Sequence, residues 1–365
     1  MTFGKWTIDM PIKAFVVITL SAGLVVSASQ LAALAAQDNG EINALVWCDH
    51  ADPSVFQPFE EEHGVRVNMK VYEGTGTALA LLEQSQPGDW DVFVVDGVDV
   101  PRVVEGGYLA PLNAEDFPLD DIFPGLSETQ LHWIGGKIYA VPVKFGYNAI
   151  SFNSANVDAD DMRSIDILWS DTYDGRIAIY DYYIAVINMV AAGLGMMDDG
   201  VISEDELPMI REKLLAMKER SAMVGEVVAV QTAIATGDVD IIAGGGEWVT
   251  AVLAKEDSNM DWIMPDQGGV LWSISIGVFA DSKNPEMATK FVQYIMSPEG
   301  QARLATSACF WAMPANMKAA LSDEEKAILR WDEQDTFLAN SHPYFIPDAD
   351  MDAKFLAIWT EMLQH

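Results

Sequence analysis

Trp47 and Asp49 stand close together at the end of an apolar run, residues 42–49, which is typical of a buried first strand. An indole face attracts a cation and a carboxylate supplies its counter-charge, so the two side chains together suit an ammonium group. Strands of an open α/β sheet present ligands at their carboxyl ends. The sequence therefore predicts that Trp47 and Asp49 form part of an amine-binding site, with Asp49 as counter-ion.

Further aromatic residues stand at predicted strand ends or strand-to-helix turns, several of them close to acidic residues. The ligand-binding candidates beyond the first pair are Asp96, Phe145, Tyr147, Asp181, Tyr182, Glu247, Trp248, Trp272, Phe310 and Trp311. A single aromatic residue is more typical of a core than of a site. Their recurrence beside carboxylates favours binding, because a desolvated ammonium needs both π faces and a counter-charge.

Other ligand classes compete with a simple amine. Lys144 and the glycines around Gly245 could hold an anionic group, which would suit a zwitterionic or sulfonated solute. The same residues also fit a solvated hinge lysine and a tight turn. Tyr182 and Tyr183 could supply phenolates to ferric iron, although adjacent tyrosines at a helix start more often pack in the core or stack on a ligand.

The chain carries no strong sign of catalysis. It has no G-x-S-x-G, H-E-x-x-H or P-loop sequence, and its five histidines lack metal-ligand spacing. We therefore expect a protein that is not an enzyme and that needs no cofactor or metal. The enzyme alternative is a secreted hydrolase with an Asp/Glu pair, which would need two carboxyl groups within about 5 to 10 Å of each other in one cleft.

The amino-terminal segment and the overall charge both bear on where the protein works. Residues 1–36 carry two lysines, then an apolar stretch, then small residues, which predicts a cleaved secretory signal peptide and a periplasmic protein. The 55 acidic and 21 basic residues leave a formal charge of −34. That charge repels nucleic acid, so we expect cations, neutral solutes or proteins as partners.

Cys48 and Cys309 are the only two cysteines of the chain. An even number in a protein predicted to be exported permits one disulfide. Two buried free thiols fit the sequence equally well, because a sequence contains no Cα separation.

Strand-like and helix-like segments alternate along the chain, which predicts mostly parallel sheets with crossover helices. The length left after the signal exceeds that at which one hydrophobic core keeps growing, so we expect two domains or lobes. Two local expectations are specific enough to test. Strands are predicted over residues 136–143 and 149–153 with an interruption between them, and residues 323–339 are predicted to be one helical stretch.

The order of several short motifs resembles that of the periplasmic substrate-binding proteins of ABC uptake systems, in particular their spermidine/putrescine-binding branch. The matching segments are VWCD (46–49), FEEEHGVRV (59–67), DWDVFVV (89–95), YAVP (139–142), WSDTYDGRIA (169–178), GDVD (237–240), GGVLW (268–272) and FVQYIMSPE (291–299). Each motif alone is weak. Their order and spacing together, over nearly the whole chain after the signal, are specific for this superfamily.

The resemblance implies a type II periplasmic-binding fold, in which two α/β lobes joined by crossing hinge strands close on a solute. We expect residues 41–146 and 273–318 to form lobe 1 and residues 147–272 and 319–365 to form lobe 2. The resemblance also implies a membrane permease and its ATPase as partners. We expect the protein itself to be a monomer.

Three positions match the family's ligand contacts. Trp47 and Asp49 match its aromatic and acidic pair, and Trp272 matches a ring stacked along the polyamine. Phe310 or Trp311 falls near another aromatic position of the family.

Other positions depart from the family's pattern. Tyr182 and Ala185 stand where polyamine binders carry further acidic residues, and Ile274 stands where they place a carboxylate against an internal amine. Gly245 stands where a stacking tryptophan is expected. The series of carboxylates needed for a long polyamine is therefore largely missing. We expect a small amine-containing solute, polyamine-like or with a single cation, and a quaternary ammonium or a zwitterion competes with putrescine and spermidine.

Overall fold

The computed structural model of the protein describes residues 40–126, 131–197, 200–255 and 259–365. The predicted signal peptide, residues 1–36, lies outside this part of the chain. Within it, none of the helices combines the length and the apolar character needed to span a bilayer.

Strands and helices alternate as the sequence predicts. The strands are β1 Glu41–Val46, β2 Arg66–Val71, β3 Val92–Asp96, β4 Trp133–Ile134, β5 Lys137–Ile138, β6 Val141–Asn153, β7 Ile177–Tyr180, β8 Ser221–Gly225, β9 Ile241–Gly245, β10 Met260–Ile263, β11 Gly269–Val278, β12 Met313–Pro314 and β13 Ser341–Pro343. The helices are α1 Pro53–His63, α2 Thr75–Glu83, α3 Val100–Glu105, α4 Tyr183–Gly193, α5 Leu207–Arg220, α6 Val227–Thr236, α7 Glu247–Ala254, α8 Pro285–Met296, α9 Pro298–Ala305, α10 Asp323–Ile328, α11 Gln334–Ala339 and α12 Ala349–Gln364.

The first lobe is built on three parallel strands in the order β2-β1-β3, continued by β11 antiparallel to β3. Every residue of β3 is buried, as expected for a parallel strand covered on both faces. Because β1 and β3 run in the same direction, their carboxyl ends lie at one edge of the sheet. Trp47 follows the end of β1 and Asp96 ends β3, so this edge positions both residues.

The second lobe repeats this arrangement, with parallel strands in the order β9-β7-β8. Each lobe therefore has a parallel centre, and antiparallel strands connect the two centres. This confirms the predicted fold class of two α/β lobes, each with a mostly parallel sheet and flanking helices.

β6 is a strand of 13 residues, all buried, that belongs to both lobes. Its first part pairs with β11 as far as Asn148, and from Ala149 onward it pairs with β9. The predicted interruption between residues 143 and 149 is therefore wrong. Lys144 can lie inside this buried strand because its ammonium has an internal partner, described below. The predicted lobe boundary after residue 146 lies beside the point where β6 changes partner, and the lobe ranges themselves stay a prediction.

The predicted single helical stretch over residues 323–339 is also wrong. The structure has two short helices, α10 and α11, with Arg330 between them in the left-handed backbone region at φ 52°. The Arg330 guanidinium donates to the Trp262 carbonyl at 3.0 Å and pairs with the Asp261 carboxylate. These contacts to β10, distant in sequence, accompany the break, which helical periodicity alone does not reveal.

Candidate functional site

A small cavity of about 40 Å³ lies between the two lobes and is walled mainly by aromatic rings. The residues that line it are Trp47, Asp96, Asn148, Tyr180, Tyr182, Val227, Trp248, Trp272, Ile274, Phe310 and Tyr344. Small-molecule sites generally measure about 300 to 1,000 Å³. Side chains or whole lobes must therefore move when a solute enters this cavity.

Rings from both lobes pack against one another around the cavity. The ring centroid of Trp47, in the first lobe, lies 6.4 Å from that of Tyr182, which follows β7 in the second lobe. Within the second lobe, the centroids of Tyr180 and Trp248 are 4.6 Å apart. Aromatic rings of both lobes therefore enclose the cavity.

Asp96 is the one carboxylate among the residues that line the cavity. Its side chain accepts a hydrogen bond of 2.6 Å from the hydroxyl of Tyr182, and it is 4 % exposed. Burial raises the pKa of Asp96 to about 7, and the nearby charge of Asp99 adds to the shift while the Tyr182 hydrogen bond opposes it. The ionised form of Asp96 is therefore disfavoured in the cavity unless a cation binds beside it.

Asp49, the predicted counter-ion, is fully buried and is not among the residues that line the cavity. The ammonium of Lys144 donates to Asp49 Oδ2 at 3.0 Å, and His50 Nδ1 lies 2.9 Å from Asp49 Oδ1. Burial alone would raise the pKa of Asp49, but the charges and hydrogen bonds of Lys144 and His50 lower it below its ordinary value. The structure therefore gives Asp49 an internal partner in place of a ligand.

Lys144, the predicted anion contact, is occupied for the same reason. Its ammonium also donates to the Phe310 carbonyl at 2.8 Å and lies 3.9 Å from the centroid of the Phe310 ring. Phe310 lines the cavity, so the Lys144–Asp49 pair fixes one wall of it from behind.

The structure joins Cys48 to Cys309 by a disulfide, with a Cα separation of 6.0 Å. The sequence leaves open a disulfide or two free thiols, and the structure has the disulfide. Cys48 follows Trp47 and Cys309 precedes Phe310, so the bond ties together two segments that each contribute a ring to the cavity.

Glu247 lies behind the cavity wall, not on it. It begins α7, is 1 % exposed, and accepts a hydrogen bond of 3.1 Å from the Tyr147 backbone N–H. Burial raises the pKa of Glu247 to about 8, so at neutral pH it is largely protonated. Gly146 makes room for it, because a Cβ at that position would overlap both the Glu247 carboxylate and the Trp272 ring.

Five other predicted site residues also lie away from the lining. Phe145 and Tyr147 are fully buried in the core, where Tyr147 stacks on Trp262. The Trp311 ring lies under the Lys255 ammonium at 4.5 Å.

Asp181 and Gly245 complete this group. Asp181 is exposed and accepts a hydrogen bond from the Trp359 indole. Gly245 ends β9 in a sheet pairing with Ala149, and the next N–H, that of Gly246, donates to Ser151. The glycine run is therefore occupied by sheet and turn contacts.

The two tyrosines of the iron alternative do not direct their hydroxyls to a common point. Tyr182 donates to Asp96, and Tyr183 donates to Asp352, both at 2.6 Å. The pKa of each phenol is raised, first by burial and then by these carboxylates, which opposes the phenolate form that iron requires. The described residues also contain no cluster of three or more His, Cys, Asp or Glu side chains suited to a metal.

Sequence reasoning missed four lining residues, Asn148, Tyr180, Val227 and Tyr344. It named a fifth, Ile274, only as a position where an acidic residue of the family is missing. Tyr180 ends β7 beside two predicted candidates, so the strand-end rule could have found it. Tyr344 follows β13 far along the chain, and its hydroxyl donates to Asn148 Oδ1 at 2.6 Å. No local pattern marks that pairing.

A larger cleft of about 750 Å³ adjoins the cavity, and Tyr182 lines both spaces. Five carboxylates line this outer cleft, against one guanidinium, that of Arg102. The carboxylates belong to Asp99, Glu105, Asp181, Asp348 and Asp352. The approach to Tyr182 is therefore strongly acidic.

Comparison with known proteins places this architecture. Residues 54–329 match the family model described as bacterial extracellular solute-binding protein. The spermidine/putrescine-binding periplasmic protein 1 of Haemophilus influenzae is 23% identical over 326 residues, which cover 85% of this chain and 86% of that protein.

Solved structures show the same fold. A putative spermidine/putrescine ABC transporter protein from Listeria monocytogenes superimposes with a TM-score of 0.77 at 20% identity, covering 88% of this chain and 98% of that one. The structure titled Atu4243-GABA receptor gives a TM-score of 0.71 at 18% identity, covering 90% and 98%. At these identities the structural likeness establishes the fold.

Proposed function

This chain belongs to the bacterial extracellular solute-binding proteins, and we propose that it captures a small amine-containing cation between its lobes and delivers it to an ABC permease for uptake. One observation carries the proposal. A buried carboxylate, Asp96, faces a cavity of aromatic rings, and its side-chain partner is the neutral hydroxyl of Tyr182.

The physical case starts from the cost of the Asp96 charge. Its raised pKa means that the cavity without ligand disfavours the ionised carboxylate. An ammonium beside Asp96 restores an ion pair in a desolvated site, and each ring face that it contacts adds about 0.5 to 2 kcal/mol. Cation and carboxylate therefore stabilise each other in this cavity more than either is stabilised alone.

The outer cleft supports the same ligand charge. Its five carboxylates line a space that shares Tyr182 with the cavity. A concave surface of one sign raises the local concentration of oppositely charged solutes and speeds their association. Cations would thus be collected at the mouth before they reach Asp96.

Export and transport partners follow from the family and the sequence. The curated relative from Haemophilus influenzae is named a periplasmic protein, and residues 1–36 have the pattern of a cleaved secretory signal. A membrane permease and its ATPase would receive the solute from the closed protein. The match to a family of solute-binding proteins supports the role of a carrier over that of an enzyme.

Ligand binding tests the proposal directly. We expect at least one member of a panel of monoamines, diamines, quaternary ammonium compounds and amino acids to raise the melting temperature of the mature protein, because a ligand that binds the folded state stabilises it by mass action. In titration calorimetry, Asp96→Asn should weaken that ligand about 100-fold, the order expected when one partner of a buried charge pair is removed.

Asp266→Asn is the matched control. It removes the same charge from an exposed carboxylate paired with Arg163, and it should leave the affinity within about twofold. A panel in which only neutral or anionic solutes bind, or an Asp96→Asn variant with unchanged affinity, would show that the proposed function is wrong.

A further inference from the structure

Unpaired indole N–H groups are concentrated at the cavity. Among the described residues, buried indole nitrogens without a hydrogen-bond partner occur at Trp47, Trp248, Trp262 and Trp272. All of these except Trp262 line the cavity. Buried polar groups in folded proteins are almost always hydrogen-bonded, so a cluster of exceptions requires an explanation.

Three indoles elsewhere in the molecule have acceptors. Trp90 donates to Ser85, Trp169 to the Lys213 carbonyl, and Trp359 to Asp181, at 2.8 to 3.1 Å. These indole N–H groups, which lie away from the cavity, are therefore hydrogen-bonded within the protein. The exceptions are found mainly where a ligand would sit.

Two of the cavity indoles carry the inference. Trp248 and Trp272 are more than nine-tenths buried, and they come from α7 and β11. The Tyr72 hydroxyl interacts with the Trp47 side chain. The inference therefore does not depend on Trp47.

The sheet register separates the Trp272 donor from the carboxylate. Ile274 on β11 faces Asp96 on β3, and Trp272 lies two residues further along the same face of β11. At about 3.3 Å per residue, Trp272 is offset from Asp96 by about 7 Å along the strand. A ligand whose cation meets Asp96 can therefore extend a short chain of atoms to the Trp272 indole.

A diamine fits this arrangement poorly. Its second ammonium would carry a second buried charge into a cavity where Asp96 is the one lining carboxylate. Apart from the tyrosine hydroxyls and the indoles, the other polar side chain there is that of Asn148, which already donates to the Gly244 carbonyl and accepts from Tyr344. Ammonium groups are donors without acceptor capacity, so they would also leave the indole N–H groups unpaired.

We propose that the ligand has one cationic nitrogen, bound by Asp96, and at its other end an oxygen acceptor that takes the N–H groups of Trp248 and Trp272. This rests on the proposed function, cation capture at Asp96, and narrows its substrate class. Small amino acids, betaines and amino alcohols share this chemistry, and putrescine and spermidine do not.

A matched ligand series tests the chemistry on the unmodified mature protein. It compares an alkylamine, the amino alcohol, the amino acid and the diamine of equal chain length, for example butylamine, 4-aminobutanol, 4-aminobutanoate and putrescine, with chains of two to six carbons. We expect the amino alcohol or the amino acid of the best length to bind at least about tenfold more tightly than the alkylamine, and the diamine no more tightly than the alkylamine. The ratio of the two oxygen-bearing ligands separates a neutral acceptor from a carboxylate.

Variants then locate the acceptor contact. Trp248→Phe and Trp272→Phe keep an aromatic ring and delete the N–H, so each should reduce the preference for the oxygen-bearing ligand about fivefold or more, with the alkylamine changed less than about threefold. Trp262→Phe is the control, because it removes an equally unpaired indole N–H that does not line the cavity, and the preference should be unchanged.

The outcomes distinguish this inference from the function beneath it. If the diamine or the alkylamine binds most tightly and depends on Asp96, the inference is wrong and cation capture stands. If the Trp248 and Trp272 variants keep the full preference, the acceptor contact is wrong. If no cation of any length binds, the proposed function is wrong and this inference with it.

Discussion

Two carboxylates of the first lobe, Asp49 and Asp96, occupy similar places in the sheet but differ in their hydrogen-bonding partners and in the direction of their pKa shifts. Both lie at the carboxyl ends of neighbouring parallel strands, and both are almost completely buried. Asp49 has the Lys144 ammonium at 3.0 Å, and its pKa is lowered. Asp96 has the neutral Tyr182 hydroxyl, and its pKa is raised to about 7.

The difference shows what makes a buried acid available to a ligand. Asp49 is charged but already paired, so its charge compensates the buried Lys144 ammonium, which contacts Phe310 in the cavity wall. No cation among the described residues pairs with Asp96, so its charge becomes favourable only when a solute supplies one. Burial is common to both, and the identity of the partner decides between a structural and a binding role.

The variant with the largest expected effect removes the cation of the buried Asp49–Lys144 ion pair. Lys144→Met should lower the free energy of unfolding by about 3–5 kcal/mol, because Asp49 is then buried without its cation. Urea denaturation measures the change. The double variant with Asp49→Leu should recover most of the loss, and an equally unstable double variant would contradict the pairing argument.

A second test uses pH to separate the two acids. A cation binds the ionised form of Asp96, so its affinity should fall as pH drops through about 7, approaching tenfold per pH unit below that point. Asp49 stays ionised throughout this range and contributes no such dependence. Calorimetry with a quaternary ammonium ligand or other permanently charged binder keeps the ligand's own charge constant.

The sign follows from the direction of the pKa shift. Without ligand, the folded state holds the Asp96 proton more tightly than the unfolded chain does. The contribution of Asp96 to stability therefore declines as pH rises from its ordinary pKa to about 7. Asp96→Asn should remove the pH dependence of the residual binding, and a flat affinity in the wild-type protein between about pH 5 and 8 would contradict the assignment.

The smallest expected effect concerns the hydroxyl that Asp96 has in place of a cation. The Tyr182 hydrogen bond lowers the pKa of Asp96, so Tyr182→Phe should move the pH midpoint of binding upward by up to about one unit. Tyr183→Phe is the control, since its hydroxyl bonds to Asp352 in the outer cleft. Equal midpoints in the two variants would show that Tyr182 does not tune Asp96.

Local patterns predicted much of the fold. The helix Pro53–His63 begins at a residue capped by Asp52 and ends at Gly64 in the left-handed region, and both signals are visible in the sequence. Ser203 and Glu206 form a capping box, whose Ser-x-x-Glu pattern is also visible in the sequence. Predictions failed at β6 and at Arg330, where contacts between distant segments override the local pattern.

The candidate site divides in the same way. Trp47, Tyr182, Trp248 and Trp272 were found from their predicted positions at strand ends or in strand-to-helix turns, because such positions are encoded locally. Trp311 and Phe145 have the same residue types in similar surroundings, and yet the structure buries them away from the cavity. Residue type and local position alone do not distinguish a cavity wall from core packing.

By itself the sequence determined the fold class, the family and the gathering of aromatic and acidic side chains at one edge of the sheets, since periodicity, capping and motif order are local properties. Only the tertiary structure decided which carboxylate is available. Lys144 reaches Asp49 across 95 positions of sequence, and Tyr182 reaches Asp96 across 86. Charge compensation depends on distances of a few ångströms in the folded chain, and no local pattern specifies such pairs.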